Sequence, residues 1–186
     1  MEEGNMEVKI ANPAPLGLFG FGMTTVLLNL HNAGLINLGT MILAMGIFYG
    51  GIAQIIAGVM EFKKNNTFGA LAFTSYGLFW ETLVFLLLMG KWGWWAPQDG
   101  LGMVFYLLIW GVFTFLLWIV LFKSKHGADI QFVFITLWIL FFLLALGDFT
   151  GSPFIKLIAG WEGIVCGASA MYVGFKTLLA ESMAQA

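Results

Sequence analysis

Uncharged polar side chains are scattered through long apolar stretches of this sequence, where a polar group is costly unless it has a partner. They are hydroxyls, amides and phenols: Asn12, Thr24, Thr25, Asn29, Gln54, Thr74, Ser75, Tyr76, Ser169 and Tyr172. Such groups can replace the water around a small anion without holding it tightly. They can also bond to one another between helices, at about 0.6–2 kcal/mol each. A single residue is explained more simply by a helix contact, whereas the set is compatible with a narrow polar path.

The first apolar stretch opens with the segment NPAPLG at 12–17. Asn12 suits the N-cap of a helix, and proline suits the first helical turn. The free N–H groups at such a start favour an anion. Ordinary helix initiation at the membrane surface explains the same residues. Deeper in this helix, Thr25 and Asn29 share one face because they are four residues apart.

Two acidic residues, Glu81 and Glu162, fall within apolar segments. A charge inside the hydrocarbon core costs roughly 2.5–3.5 kcal/mol or more. One interpretation is a carboxyl that carries a proton across the membrane. The other places both residues near the outer interface, facing water or a subunit contact. His31 lies in a turn, where its ordinary titration range suits a pH response but where an unremarkable loop histidine is also expected.

Other kinds of chemistry are not indicated. The sequence shows no metal-ligand cluster, nucleophile–base pair, phosphate loop or dinucleotide motif. We therefore expect no enzymatic activity, no cofactor and no bound metal. The net charge of −2 gives no reason to expect a nucleic-acid partner, and all eight basic residues are lysine. The absence of arginine removes the usual bidentate clamp for a carboxylate.

The polar residues above must be positioned by membrane-spanning helices. Hydrophobic residues make up 60% of the 186 residues and charged ones 10%, against about a quarter in soluble domains. Charged loops divide the chain into apolar segments near the ~20 residues that a bilayer requires. We predict an all-α integral membrane protein with six spans, roughly 13–30, 38–60, 68–89, 101–122, 130–146 and 157–179. The predicted organisation is a cytoplasmic segment 1–12, a six-helix domain 13–180 and a cytoplasmic tail 181–186.

Lysines predict the orientation, because cytoplasmic loops carry an excess of positive charge. One side of the membrane would carry six of them and the other side only Lys91 and Lys156. The six are Lys9, Lys63, Lys64, Lys123, Lys125 and Lys176. Both termini are therefore predicted to lie in the cytoplasm, with the protein in the cell membrane.

Glycines indicate close helix packing. Of the 24 glycines, Gly46 and Gly50 form one GxxxG pair, and Gly163 and Gly167 form another. Small residues at this spacing let helix backbones approach each other in lipid. The alternative is that these glycines are neutral filler.

Longer runs resemble a known family. The segment NPAPLGL at 12–18 resembles the signature of the acetate uptake transporter family, of the succinate–acetate permease (SatP/YaaH) type. The resemblance continues, in consistent order, through 20–25, 28–32, 44–54, 73–77, 110–114, 131–134 and 166–170. It implies six helices around a pore in each protomer, assembled as a homohexamer. It also implies uptake of acetate, often with succinate, either coupled to protons or channel-like.

The resemblance further implies an aromatic–aromatic–leucine constriction, here at Phe21, Tyr76 and Leu137, and relates Ala170 to substrate range. The predicted topology tests this. The first, third and fifth helices run in one direction, and each constriction residue follows the start of its span by about seven to ten residues, or ~10–15 Å at 1.5 Å per residue. The three should reach one depth, and Ala170 a similar layer from the opposite side. Glu81 and Glu162 depart from the family pattern, so a proton role for them is not inherited.

These residues predict a membrane permease or channel for acetate and also succinate, with the proton as coupled partner. The alternative is a passive channel for a small neutral solute, such as urea or undissociated acid. A second class, a non-transporting membrane partner or sensor, would show no flux and would tolerate substitutions at the constriction.

Overall fold

The computed structural model describes residues 10–97 and 99–185, and most of the predicted segment 1–12 lies outside them. It contains helices long and apolar enough to cross a membrane: α1 (Ala14–Asn32), α2 (Thr40–Lys63), α3 (Thr67–Trp92), α4 (Gly100–Lys123), α5 (Ala128–Thr150) and α6 (Pro153–Gln185). There is no strand in the described part of the chain. The prediction of an all-α membrane protein with six spans is confirmed.

Short polar turns end these helices. The Asn66 side chain caps α3 by accepting from the Gly69 N–H at 3.1 Å, and Asp99 accepts from the Gly102 N–H at the start of α4. Gly93 and Gly151 adopt positive φ after α3 and α5, a conformation that glycine accepts without strain. At the start of the chain, α1 begins at Ala14, and the Asn12 Oδ1 accepts from the Ala14 N–H at 3.1 Å.

The last helix is longer than the sequence predicted. A span of 157–179 was expected, but α6 begins at Pro153 directly after the Gly151 turn and continues to Gln185. Its last turns are held on the protein, since Glu181 accepts a hydrogen bond from the Asn12 amide. The predicted boundary between the six-helix domain 13–180 and the tail 181–186 therefore lies within a continuous helix.

A π-helical stretch, Gly46–Ala53, interrupts α2. Such wider turns often occur at functional sites. Its glycines face α3: a methyl group added at Gly46 would lie 2.7 Å from the Val84 side chain, and one at Gly50 would lie 2.8 Å from Trp80. The first GxxxG pair therefore makes room for the Val84 and Trp80 side chains of α3, rather than for the backbone of a neighbouring helix.

The backbones of α1 and α6 meet through the second glycine pair. A methyl group at Gly22 would lie 2.6 Å from the Gly167 carbonyl oxygen, and one at Gly167 would lie 2.7 Å from the Gly22 oxygen. Gly163 lies directly against the Asn29 side chain. The two helices thus pack more closely than any residue with a Cβ would permit at these points.

Helices α3 and α4 meet through aromatic side chains. The Phe79 ring stacks on Tyr106 at 5.7 Å between centroids and meets Trp110 edge-on at 5.2 Å. On the outside of the bundle, large apolar side chains such as Phe48, Phe105 and Ile109 are 65–71% exposed. Such a surface suits lipid or another apolar protein surface.

Substitution of Gly167 by alanine should destabilise the protein, because the new methyl group meets a backbone oxygen that cannot move without separating α1 from α6. Overpacking of this kind costs about 1–3 kcal/mol. Thermal unfolding of the purified protein in detergent measures the effect. Gly100→Ala is the matched control, since nothing lies within 4 Å of its added methyl group. Equal melting temperatures for the two variants would contradict this account of the interface.

Candidate transport pathway

A small cavity lies inside the bundle, and four helices line it. Its lining residues are Leu18 and Phe21 from α1, Gln54 from α2, Ala72, Phe73 and Tyr76 from α3, and Val133, Phe134 and Leu137 from α5. Its volume is about 30 Å³. That volume is room for a water molecule or two. We call this cavity the neck.

The structure brings together the three residues of the expected constriction. Phe21, Tyr76 and Leu137 all line the neck and are 3–7% exposed. The ring centroids of Phe21 and Tyr76 are 5.8 Å apart. Phe113 and Phe134 pack edge-on against Tyr76 at 5.7 and 6.1 Å, within the range of favourable aromatic contacts. The neck is therefore a tight cavity whose walls are four aromatic side chains, four aliphatic ones and one amide.

The Tyr76 hydroxyl is held by α4, which contributes no lining residue to the neck. It donates to the Thr114 Oγ1 at 2.9 Å, and the Thr114 hydroxyl donates to the Trp110 carbonyl at 2.8 Å. This chain of bonds satisfies a buried phenol and fixes the position of its ring. Tyr76 therefore contributes its ring to the passage, while its polar group serves as an anchor.

Gln54 supplies the amide in the neck. Its side chain is 1% exposed, and its Oε1 has no hydrogen-bond partner among the described residues. Gly20 gives it room, since a methyl group there would lie 3.3 Å from the Gln54 Cγ. An unpartnered buried amide oxygen is costly. A solute with a hydroxyl, or a water molecule, could relieve that cost in the neck.

The polar residues on α1 mostly bond within the helix bundle. The Thr24 hydroxyl lies 3.4 Å from the Met45 carbonyl at the start of the π-helical stretch. The Asn29 Nδ2 donates to the Thr25 carbonyl at 2.9 Å, and its Oδ1 accepts from Asn32 at 2.9 Å. None of the three predicted residues Thr24, Thr25 and Asn29 lines the neck. The Thr24 contact joins two helices, which is the structural alternative considered from the sequence, whereas both Asn29 bonds lie within α1.

Three further predicted residues also lie away from the neck lining. Thr74 packs against Gly58 of α2, and its Oγ1 is buried without a hydrogen-bond partner among the described residues. Ser75 is half-buried on α3. Ala170 is completely buried within the apolar core and lines none of the cavities described here.

A larger cavity of about 220 Å³ opens next to the neck, and we call it the vestibule. It lies at the end of the bundle where α1, α3 and α5 begin and where α2, α4 and α6 end. It shares Leu18, Ala72, Phe73 and Phe134 with the neck. Those shared walls make the vestibule the approach to the neck from this end.

Glu61 lines the vestibule, although it falls just after the predicted second span of 38–60. The structure places it inside α2 with 0% exposure. Its Oε2 accepts from the Asn66 Nδ2 at 2.8 Å, while its Oε1 has no partner among the described residues. One sequence signal could have found it: Glu61 follows Gln54 by seven residues, or two helical turns, so both share a face.

Asn12 lies at the outer rim of this end of the bundle. Its Oδ1 accepts from the Lys64 Nζ at 2.9 Å, and its amide donates to Glu181. These residues border an open depression of about 590 Å³ formed by the start of the described chain and the end of α6. Asn12 therefore joins three parts of the chain at the rim and does not reach the neck.

The other titratable residues considered from the sequence, Glu81, Glu162 and His31, line neither the neck nor the vestibule. Glu81 lies on α3 against Gly51 of α2. Both carboxyl oxygens of Glu162 are buried without a hydrogen-bond partner in the described part of the chain. The His31 Nδ1 is 3.1 Å from the Ile36 carbonyl in the turn after α1.

Comparison with known proteins identifies the family. The model of the GPR1/FUN34/yaaH family matches residues 3–185. The chain belongs to this family. Within the family it is 56% identical over 174 residues to the succinate–acetate/proton symporter SatP of Escherichia coli, covering 93% of this chain and 91% of that protein. It is 33% identical to acetate permease A of Emericella nidulans, over 88% of this chain and 60% of that protein.

A solved structure of the GPR1/FUN34/yaaH family also matches. The structure of the bacterial acetate channel SatP superposes with a TM-score of 0.91 at 55% identity, covering 94% of this chain and 95% of that one. The arrangement of helices around the neck is therefore that of a solved family member. The resemblance noted in the sequence is confirmed.

Thr114→Val should destabilise the protein more than Tyr76→Phe does. Valine leaves the buried Tyr76 hydroxyl without its acceptor, which costs about 1–3 kcal/mol. Phenylalanine removes that hydroxyl, while Thr114 keeps its bond to Trp110. Melting temperatures in detergent provide the comparison, and the double variant should recover part of the loss seen for Thr114→Val. The reverse order of stability would show that the hydroxyl is not anchored as described.

Proposed function

We propose that this protein is a permease for acetate, with succinate as a second substrate, and that transport is coupled to protons. The observation that carries the proposal is the neck, in which Phe21, Tyr76 and Leu137 surround a passage inside a bundle of the symporter's fold. The names of its relatives support the substrate class: succinate–acetate/proton symporter, acetate permease and acetate channel. These names describe transport, and no enzymatic role is proposed.

The chemistry of the lining fits a small carboxylic acid. No charged residue is among the neck's lining residues, and the sequence contains no arginine that could bind the anion firmly. Permeation needs binding that is strong enough to admit the solute and weak enough to release it. The methyl group of acetate suits the apolar surface that faces the cavity, and Gln54 is the one lining residue that carries an amide. Large hydrated ions have no comparable partner there.

The proposed orientation places both termini in the cytoplasm of a cell whose membrane the chain crosses several times. The lysine distribution supports it through the excess of positive charge on one side. The vestibule then faces the cytoplasm. We also propose that protomers assemble as a homohexamer, which the sequence resemblance and the exposed apolar outer faces of α2 and α4 support.

A passive channel for a neutral solute is the second candidate. The uncharged neck favours it, because a neutral molecule enters an apolar passage at a smaller desolvation cost than an ion. Undissociated acid and urea are both small and neutral. Passage of the undissociated acid differs from symport only in where the acid gains and releases its proton.

Purified protein in liposomes should take up radiolabelled acetate, and uptake should rise when the outside is more acidic than the lumen. The reason is that the proton moves with the acid through the neck. Competing unlabelled succinate should reduce the uptake if it shares the pathway. Labelled urea in the same vesicles separates the two candidates. Uptake of urea at the rate of acetate, with no response to the pH gradient, would favour the passive channel.

Leu137→Ala should widen the neck and raise the uptake of bulkier monocarboxylates, such as butyrate, relative to acetate. One or a few methylenes are worth about 1–3 kcal/mol in such discrimination, so a change in the uptake ratio of roughly ten-fold is expected. Leu140→Ala is the matched control, because Leu140 is a buried residue of the same helix that does not line the neck. If Leu137→Ala leaves both rates unchanged, the neck does not limit passage.

A further inference from the structure

The buried carboxyl of Glu61 in the vestibule is the feature that the proposed function does not yet use. It is 0% exposed, and its Oε1 lies in the cavity wall without a hydrogen-bond partner among the described residues. The glycine at 69 leaves room for it, since a methyl group there would lie 3.1 Å from the Glu61 Cδ. A fully buried acid that lines a cavity is rare in a protein interior unless it is paired or functional.

Among the described residues that line the vestibule with Glu61 there is no lysine. From α3 and the turn before it come Asn66, which donates to Oε2, and uncharged residues. The turn between α4 and α5 contributes His126 to the same cavity, with its Nδ1 2.7 Å from the Ser124 Oγ. The lining residues from α1, α4, α5 and α6 are uncharged. Lys64, three residues further along, is bonded to Asn12 instead.

The neck next to this vestibule favours the neutral form of a carboxylic acid. Its walls carry aromatic and aliphatic side chains, one amide and no charge. Both forms of the acid would lose hydration there, but the cost is far larger for the anion, which would have no charged partner, than for the protonated acid. The proton therefore has to be on the acid while it crosses the neck, and it has to leave the acid on the cytoplasmic side.

We propose that Glu61 is the group that exchanges the proton with the transported acid in the vestibule. This inference rests on the proposed function. An acid that arrives through the neck as R–COOH loses its proton to the Glu61 Oε1, so that one O–H bond breaks and another forms. The anion R–COO⁻ leaves towards the cytoplasm. The protonated Glu61 then gives its proton to water, forming H₃O⁺ and restoring the carboxylate.

The reverse direction uses the same group. An anion that enters the vestibule from the cytoplasm takes the proton from Glu61 and crosses the neck as the neutral acid, after which H₃O⁺ returns a proton to the Glu61 carboxylate and leaves water. Glu61 is then a proton donor placed beside the neck. Such a donor is needed at neutral pH because undissociated acid is scarce in solution. Positioned proton transfer of this kind contributes about 10²–10⁴-fold in enzymes.

The test is the pH dependence of acetate uptake by liposomes that contain wild-type protein or Glu61→Gln. At about pH 7.5 on both sides, Glu61→Gln should be roughly ten-fold slower or more, because the positioned group that exchanges the proton with the acid is lost. At about pH 5 the solution itself supplies undissociated acid, so its rate should come within about two-fold of the wild type. Glu61→Asp keeps a carboxyl and should recover part of the rate at the higher pH.

Glu162→Gln is the matched control. It is the same substitution at another buried carboxyl, whose two oxygens have no hydrogen-bond partner among the described residues, but Glu162 lies outside both cavities. Its pH profile should follow that of the wild type. If Glu162→Gln loses uptake at about pH 7.5 while Glu61→Gln keeps it, the proton group has been assigned to the wrong residue.

Equal pH profiles for wild type and Glu61→Gln would overturn the inference, and so would a loss of uptake by the variant at both pH values. A wild type that takes up no acetate would instead defeat the proposed function.

If Glu61→Gln does not fold, the inference is tested by treating the wild-type protein with a hydrophobic carbodiimide, which modifies buried carboxyl groups. It should modify Glu61, acetate should slow the modification, and modified protein should lose uptake at about pH 7.5 alone. An unmodified Glu61, or unchanged uptake after modification, would also overturn the inference.

Discussion

The position of α1 depends on three consecutive residues, Gly20, Phe21 and Gly22, and the pathway depends on α1. A methyl group at Gly20 would lie 2.6 Å from the Tyr49 carbonyl of α2, and one at Gly22 would lie 2.6 Å from the Gly167 carbonyl of α6. Because the two glycines let α1 lie against two other backbones, the side chain between them is directed at Tyr76 of α3. Close packing and the aromatic passage are therefore set by the same turn of one helix.

Much of the fold could be predicted because charges and apolar lengths are strong signals in a membrane protein. The six spans follow from them, and so does the common depth of Phe21, Tyr76 and Leu137 on three helices that run in one direction. The ends of the helices were harder to predict, since they depend on contacts between distant parts of the chain. The sequence ended the last helix near residue 179, whereas the contact between Glu181 and Asn12 holds further turns of α6 on the protein.

The roles of polar residues were harder to predict than the spans, because a hydroxyl or amide in a membrane can either bond within the helix bundle or line a polar path. Asn29 and Gln54 are both buried amides, but one bonds to Thr25 and Asn32 within its own helix while the other borders the neck. Their types and spacing do not distinguish these uses; only the rotation of each helix does. Glu61 was missed for a related reason, since an acid next to two lysines resembles an exposed loop residue unless its helix continues past it.

The π-helical stretch in α2 lies upstream of both Gln54 and Glu61. A wider turn accumulates less rotation for each residue added than an α-helical turn does. The directions in which the side chains of the second half of α2 point therefore depend on the winding of the first half. A sequence change that returned this stretch to regular α-helical winding would rotate Gln54 away from the neck and Glu61 away from the vestibule together, although neither residue had been altered. Selection on transport in this protein thus extends to glycines that never meet the solute.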